Sequence, residues 1–132
     1  MTGPHLWPVR VYYEDTDLAG IVYYANYLRF IERARTEYVR ELGIDQTTLK
    51  SEEDIVFAVR RVEADYLSPA RFDDQLMVKT SLDALKGARI VLDQSVWRAQ
   101  TCLFSSTVTL VCLTGAGRPA RLPAALKAAF AE

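Results

Sequence analysis

The chain has 132 residues, half of them hydrophobic and a quarter charged, which describes one globular domain over residues 1–132 and excludes a disordered chain. Its 16 Lys and Arg against 17 Asp and Glu leave a formal charge of −1, so nucleic acid is not expected as a partner, because phosphate binding shows as a basic excess. No apolar run approaches the ~20 residues that span a bilayer, and the opening residues show no signal-peptide core, so a cytoplasmic protein without a transmembrane segment is expected.

In chain order, residues 9–14 (VRVYYE) are rich in β-branched and aromatic types and predict a strand. Asp15-Thr16-Asp17-Leu18-Ala19-Gly20 has no period and predicts a loop. Residues 23–42 predict a long helix. Tyr27, Phe30, Ile31, Ala34, Tyr38 and Leu42 recur at steps of three and four, charged residues fill the remaining face, and Gly43 stands at the stop. A polar stretch (residues 45–54) follows. Four long strands are then expected over residues 55–66, 76–85, 88–98 and 103–113, with breaks at Ser68-Pro69, Lys86-Gly87 and Gln100-Thr101. Residues 122–130 predict a short closing helix. The simplest packing is an α+β fold with an antiparallel five-stranded sheet wrapped around one long helix. One helix covers one sheet face only, yet residues 55–59 (IVFAV) are apolar on both parities. A second copy of the chain is the most economical cover, which predicts a homo-oligomer, dimer or homotetramer.

One count removes more chemistry than any other. The chain has a single histidine, His5, in a Pro-flanked N-terminal tail, whereas Ser-His-Asp and Cys-His catalysis need a histidine held against the nucleophile. No CxxC, HExxH, GxxxxGK[ST] or GxGxxG pattern occurs, so neither a metal site nor a phosphate loop is expected. Cys102 and Cys112 make no disulfide framework: on one strand they would lie roughly 33 Å apart. Carboxylates, backbone amides and hydroxyls are what remains.

These converge on residues 12–27 (YYEDTDLAGIVYYANY). Asp17 stands in a loop just before the helix, and Gly20 allows close backbone approach to a ligand. The opening turn of the helix leaves N–H groups unpaired and partly positive. A carboxylate beside such donors can attack a carbonyl, or activate water for attack, while the resulting oxyanion is stabilised. The competing reading of Asp-Thr-Asp is capping and turn chemistry.

The run Asp15-Thr16-Asp17-x-x-Gly20-Ile21-Val22-Tyr23, with Tyr27, resembles the signature of the 4-hydroxybenzoyl-CoA thioesterase family of hotdog folds. Glu32-Arg33-Ala34-Arg35-Thr36-Glu37 resembles the acyl-CoA thioesterases of the bacterial Tol–Pal system, the YbgC type. Val62-Glu63-Ala64-Asp65-Tyr66, Pro69-Ala70-Arg71 and residues 117–123 (GRPARLP) extend the likeness to nearly the whole chain. Tyr24 stands where many Tol–Pal-type relatives carry His and where the 4-hydroxybenzoyl-CoA branch carries Tyr.

The resemblance implies hydrolysis of an acyl-CoA or acyl carrier protein thioester to a carboxylic acid and free thiol. It implies no separate cofactor, CoA being part of the substrate. Asp17 is then general base or nucleophile, and the Tyr24 N–H polarises the thioester carbonyl from the first helical turn. Gly20, Ile21, Val22, Tyr23 and Tyr27 shape the substrate's approach, with Tyr13 a further candidate for the acyl pocket. Lys86, Gly87 and Arg89, with Arg118 and Arg121, are candidates for the CoA phosphates; Arg60, Arg61 and Arg71 are further ones. Glu32 and Glu37 are expected in ion pairs with neighbouring arginines, and Cys102 and Cys112 in packing. A hydratase would need a placed histidine; a non-catalytic acyl-thioester binder is the alternative from another class.

Overall fold

The computed structural model describes residues 3–131. The elements are β1 (His5–Arg10), a 3₁₀ turn (Tyr13–Asp15), α1 (Asn26–Glu41), α2 (Gln46–Glu53), β2 (Val56–Tyr66), β3 (Gln75–Lys86), β4 (Arg89–Arg98), β5 (Thr101–Leu113) and α3 (Ala124–Ala131). The five strands form one antiparallel sheet in the order β1-β3-β4-β5-β2. The expected α+β architecture, with five strands and one long helix, is what the chain adopts. No helix among the described residues is long and apolar enough to cross a membrane.

The helical period of α1 turns Tyr27, Phe30, Ile31, Ala34, Tyr38 and Val39 inward, over β1, β3 and β4. Each large side chain buried there contributes about 1.5–3 kcal/mol. A polar clasp fixes the helix on the sheet. Buried Gln94 donates from Nε2 to the Ile31 carbonyl and to Thr80 Oγ1, both at 2.9 Å, and accepts from Arg35 at 2.9 Å. Phe104, Val108, Leu110 and Cys112 of β5 face the same core. Ser106, the polar break in their alternation, is buried with its hydroxyl donated to the Gln94 carbonyl at 2.8 Å. Both cysteines lie on β5 and are free, and burial pushes the Cys112 thiol up to about 11.

Several expected boundaries move. The first strand is His5–Arg10 rather than residues 9–14, because Tyr13–Asp15 folds into a 3₁₀ turn held by the Asp15 carboxylate on the Tyr12 N–H at 2.8 Å. His5 is therefore not in a tail. It pairs with Thr80, is 3% exposed, and its Nε2 lies 2.7 Å from Glu41 Oε2, too poorly aligned for a hydrogen bond. Pro8 is tolerated because β1 is an edge strand, where a missing N–H breaks no ladder on its open side. The polar stretch at 45–54 holds α2, whose first turn is capped by Asp45 accepting from Thr47 N and Thr48 N at 3.0 and 3.2 Å. The last hairpin turns at Ala99-Gln100, with Ala99 at φ 52 and Thr101 already in β5.

β2 is the other edge, met by α1 at its Tyr66 end, where that ring lies edge-on to Tyr27. A bulge between Val59 and Arg61 absorbs one residue. Phe57 and Val59 before it, and Val62, Ala64 and Tyr66 after it, therefore face the same side as Cys112, Leu110, Val108, Ser106 and Phe104. Phe57 packs against Phe130, but from Val59 onward this face is apolar and exposed: Val59 and Tyr66 are each 49% exposed and Val62 38%.

Candidate active site

The two aspartates of the Asp-Thr-Asp motif sit in different surroundings, one buried and one exposed. Asp15 is the structural one. It is 5% exposed; Oδ2 accepts from Tyr12 N at 2.8 Å, Oδ1 from Asn26 Nδ2 at 2.9 Å, and its carbonyl from Tyr23 N at 2.8 Å. It thus ties the strand end, the loop and the start of α1 together. Asp15→Ala leaves two inward donors without acceptors and is expected to lower unfolding stability by about 2–4 kcal/mol in denaturant titration. A loss below about 1 kcal/mol would mean other contacts hold the loop.

Asp17 is exposed. Its backbone closes a tight loop, with Asp17 N donating to the Ile21 carbonyl and Gly20 N to the Asp17 carbonyl, both at 2.9 Å. Its Oδ1 accepts from Ala19 N at 2.9 Å; among the described residues Oδ2 has no partner. Gly20 does not line the cavity beside Asp17, and a Cβ there would meet nothing within 4 Å. Its φ of +79° is the reason for glycine, not close approach. Bridges from Thr16 to Val22 and from Ile21 to Arg71 anchor the loop on both sides.

α1 starts at Asn26, so Tyr24 is not in its first turn as expected; it sits in the turn that leads in. Asn26 N donates to the Tyr23 carbonyl at 2.8 Å, and Ala25, the N-cap, is already helical at φ −71°, ψ −20°. No side chain caps this helix, and neither Tyr24 N nor Ala25 N finds an acceptor among the described residues. Alanine is among the poorest N-caps. The open Tyr24 and Ala25 N–H groups stand at the entry to the helix, with the positive end of its dipole behind them.

Asp17, Ile21, Val22, Tyr23, Tyr24 and Tyr27 line one open cavity of about 370 Å³ together with Tyr66, Leu67, Ser68 and Pro69. Tyr27 is buried, stacks on Phe104 with centroids 5.1 Å apart, and accepts the Ala70 N–H at 3.0 Å. Burial pushes its pKa up, so the phenol is neutral. Arg98 braces the same wall, donating to the Pro69 carbonyl at 3.2 Å and to Asp74 at 2.8 Å. Burial alone would raise the Asp74 pKa; the Arg71 N–H and the Arg98 guanidinium outweigh it and hold the carboxyl below its ordinary value. Tyr13 is outside the cavity, 82% exposed against Phe72. Glu37 pairs with Arg40 at 2.6 Å as expected, whereas Glu32 accepts from Thr36 at 2.7 Å.

The candidate phosphate ligands gather elsewhere. The loop carrying Arg118 and Arg121 folds back on the β3–β4 turn, with Leu122 N donating to the Gly87 carbonyl at 3.2 Å, which brings Lys86, Gly87 and Arg89 near. All five are exposed. Arg89 pairs with Val111 and Tyr66 with Phe104. Along β5 those partners are roughly 23 Å apart at ~3.3 Å per residue, so within one chain the basic group lies at the opposite end of the sheet from Asp17. Sequence reasoning gave no site role to Tyr66, Leu67, Ser68 or Arg98. Only the aromatic character of Tyr66 hints at one, and aromatic residues on strands are common in any core.

The thioesterase superfamily model matches residues 19–103. An acyl-CoA thioesterase YbgC from Haemophilus influenzae is 46% identical over 125 residues, covering 94% of this chain and 92% of the relative. A probable thioesterase from Bartonella henselae has a crystal structure that superposes with a TM-score of 0.87 at 36% identity, over 91% of this chain and 99% of that one. A 4-hydroxybenzoyl-CoA thioesterase, crystallised as an Asp-to-Asn mutant with 4-hydroxybenzoyl-CoA, shares the fold with a TM-score of 0.92. It is 22% identical and covers 98% of this chain and 99% of that one.

Proposed function

The chain belongs to the thioesterase superfamily and is an acyl-CoA thioester hydrolase; from that premise we propose that Asp17 and the Tyr24 N–H together carry the reaction. One observation carries this reading. The partnerless oxygen of Asp17 and the open donors ahead of an uncapped helix border the same aromatic cavity. The thioester carbonyl oxygen is assigned to the Tyr24 N–H, and the carbonyl carbon to the side facing Asp17. Asp17 takes a proton from water as its oxygen attacks, negative charge develops on the carbonyl oxygen, and the C–S bond breaks to release thiolate. A nucleophilic Asp17 uses the same geometry, forming an acyl anhydride that water opens. A thiol pKa near ~8.5 makes the leaving group good enough to need no histidine acid, in keeping with His5 lying buried in β1. No separate cofactor enters. Ile21, Val22, Tyr23 and Tyr27 form the acyl wall. The test is release of free thiol from a panel of acyl-CoAs of graded length, with aromatic members and one acyl carrier protein donor. Turnover of none of them defeats the assignment.

The homo-oligomer follows from the uncovered β2 edge. It is the longer edge, 11 residues against 6 for β1, and carries no proline. Antiparallel pairing of two β2 strands sets the Val56 end of one beside the Tyr66 end of the other. The partner's basic group then reaches the end of the sheet where this chain's Asp17 stands, and Lys86, Arg89, Arg118 and Arg121 act on CoA phosphates across the subunit contact. Val62→Asp is expected to shift the protein toward monomer in sedimentation and to cost most of the activity. A fully active wild-type monomer would remove both the dimer and the shared site. A reducing cytoplasm suits the free Cys102 and Cys112.

A further inference from the structure

We propose that Tyr66 is a positioning residue for the reaction, its hydroxyl fixing the peptide that follows Tyr24 and so the aim of the donors on the thioester oxygen. This rests on the role given above to the Tyr24 N–H. Tyr66 Oη donates to the Tyr24 carbonyl at 3.0 Å from 42 residues away, across the cavity mouth. In a regular helix that carbonyl would accept from Leu28 N, but Leu28 N donates to the Ala25 carbonyl at 3.1 Å instead. The Tyr24 carbonyl is therefore released from the helix ladder and held outward by Tyr66.

Both peptide planes that meet at Tyr24 are consequently pinned. The one before it is held through the Tyr23 carbonyl by Asn26 N, and the one after it through its own carbonyl by Tyr66. Because C=O and N–H of a trans peptide point in opposite directions, the Tyr66 bond also sets the direction of the open Ala25 N–H. Without it, the Tyr24 carbonyl can swing toward Leu28 N and continue the helix by one residue, rotating the donors off the substrate. The ring is held independently of the hydroxyl, edge-on to Tyr27 at 5.5 Å and to Phe104 at 5.1 Å. Burial first, then the neighbouring Tyr24 and Tyr27, push the Tyr66 pKa up, so the hydroxyl keeps its proton and donates at neutral pH.

The test is Tyr66→Phe, which removes the hydroxyl and keeps the ring. Loss of one neutral hydrogen bond is expected to lower kcat roughly 3- to 10-fold, with KM within about twofold and Tm unchanged. In a Tyr24→Pro background, where the Tyr24 N–H is gone, the same change is expected to cost less than about twofold, because the Ala25 N–H that Tyr66 aims can add only to an oxyanion already held by the Tyr24 N–H. A rise in KM with kcat unchanged would make Tyr66 a pocket wall and overturn the proposal. So would equal effects in both backgrounds, or none in either. If Tyr24→Pro matches Tyr24→Ala, the reading of the N–H has failed. If Tyr24→Pro is far slower than Tyr24→Ala and Tyr66→Phe is silent, the role of Tyr66 alone has failed.

Discussion

Asp17→Asn is expected to slow thiol release by at least ~100-fold, the lower end of what a positioned base contributes, while binding and folding are preserved. The substitution is isosteric. The Oδ1 that accepts from Ala19 N survives in an amide, and Asn suits the same tight turn. What is lost is the negative charge on Oδ2, the atom proposed to take the proton from water or to attack the carbonyl. The expected signature is a fall in kcat with little change in KM and an unaltered Tm, read by thiol release and thermal unfolding. Asp15→Ala should show the reverse, a weakened fold with chemistry kept in the folded fraction, because Asp15 spends both oxygens on Tyr12 and Asn26. An Asp17→Asn enzyme at full rate removes Asp17 from the mechanism.

Tyr24→Pro is expected to lower kcat by ~10²–10³ relative to Tyr24→Ala, the cost of deleting one oxyanion donor. The comparison with Ala is essential, because both variants lose the ring that sits 4.9 Å from Tyr23 and 6.2 Å from Tyr66. The proline ring then removes only the N–H. Little fold stability should go with it: Tyr24 holds the second place of the turn closed by Asn26 N and the Tyr23 carbonyl, where proline is favoured, and its N–H makes no bond within the protein. A Tm near that of Tyr24→Ala confirms that the turn is kept. Equal rates in the two variants would move the oxyanion away from Tyr24.

The uncapped start of α1 gives this second prediction its weight. A Ser or Asp at the N-cap is typically worth ~1 kcal/mol over Ala, and Ala25 forgoes it. A cap at Ala25 would accept from Tyr27 N or Leu28 N inside the helix, whereas the donor assigned to the substrate, Tyr24 N, precedes the cap and finds no acceptor among the described residues.

Much of the architecture was legible in the sequence. The period of three and four from Tyr27 to Leu42 located α1, alternation located the sheet, and Gly87 marked a turn. The loop that carries the candidate site was legible as well, since Asp17 to Gly20 is a short run set by near neighbours, although Tyr24 falls in the turn before α1 rather than in its first turn. α2 was missed because its eight residues bury only Leu49, leaving little period to see, although Asp45 stood at its start as a capping signal. The strand expected over residues 9–14 failed because strand propensity lost to the side chain of Asp15, which bends the chain into a 3₁₀ turn.

By itself the sequence determined the long helix, the four long strands that follow it, their apolar faces, and that the chain has one histidine to offer. Only the tertiary structure decided which strand lies beside which. Periodicity records how a segment meets a core but not the partner it meets, and antiparallel pairing joins residues far apart in the chain. The order β1-β3-β4-β5-β2 puts β2 at an edge with an apolar face exposed from Val59 onward and carries Tyr66 to the Tyr24 carbonyl. It also sends the basic turns to the end of the sheet away from Asp17, and draws His5 from an apparent tail into the core.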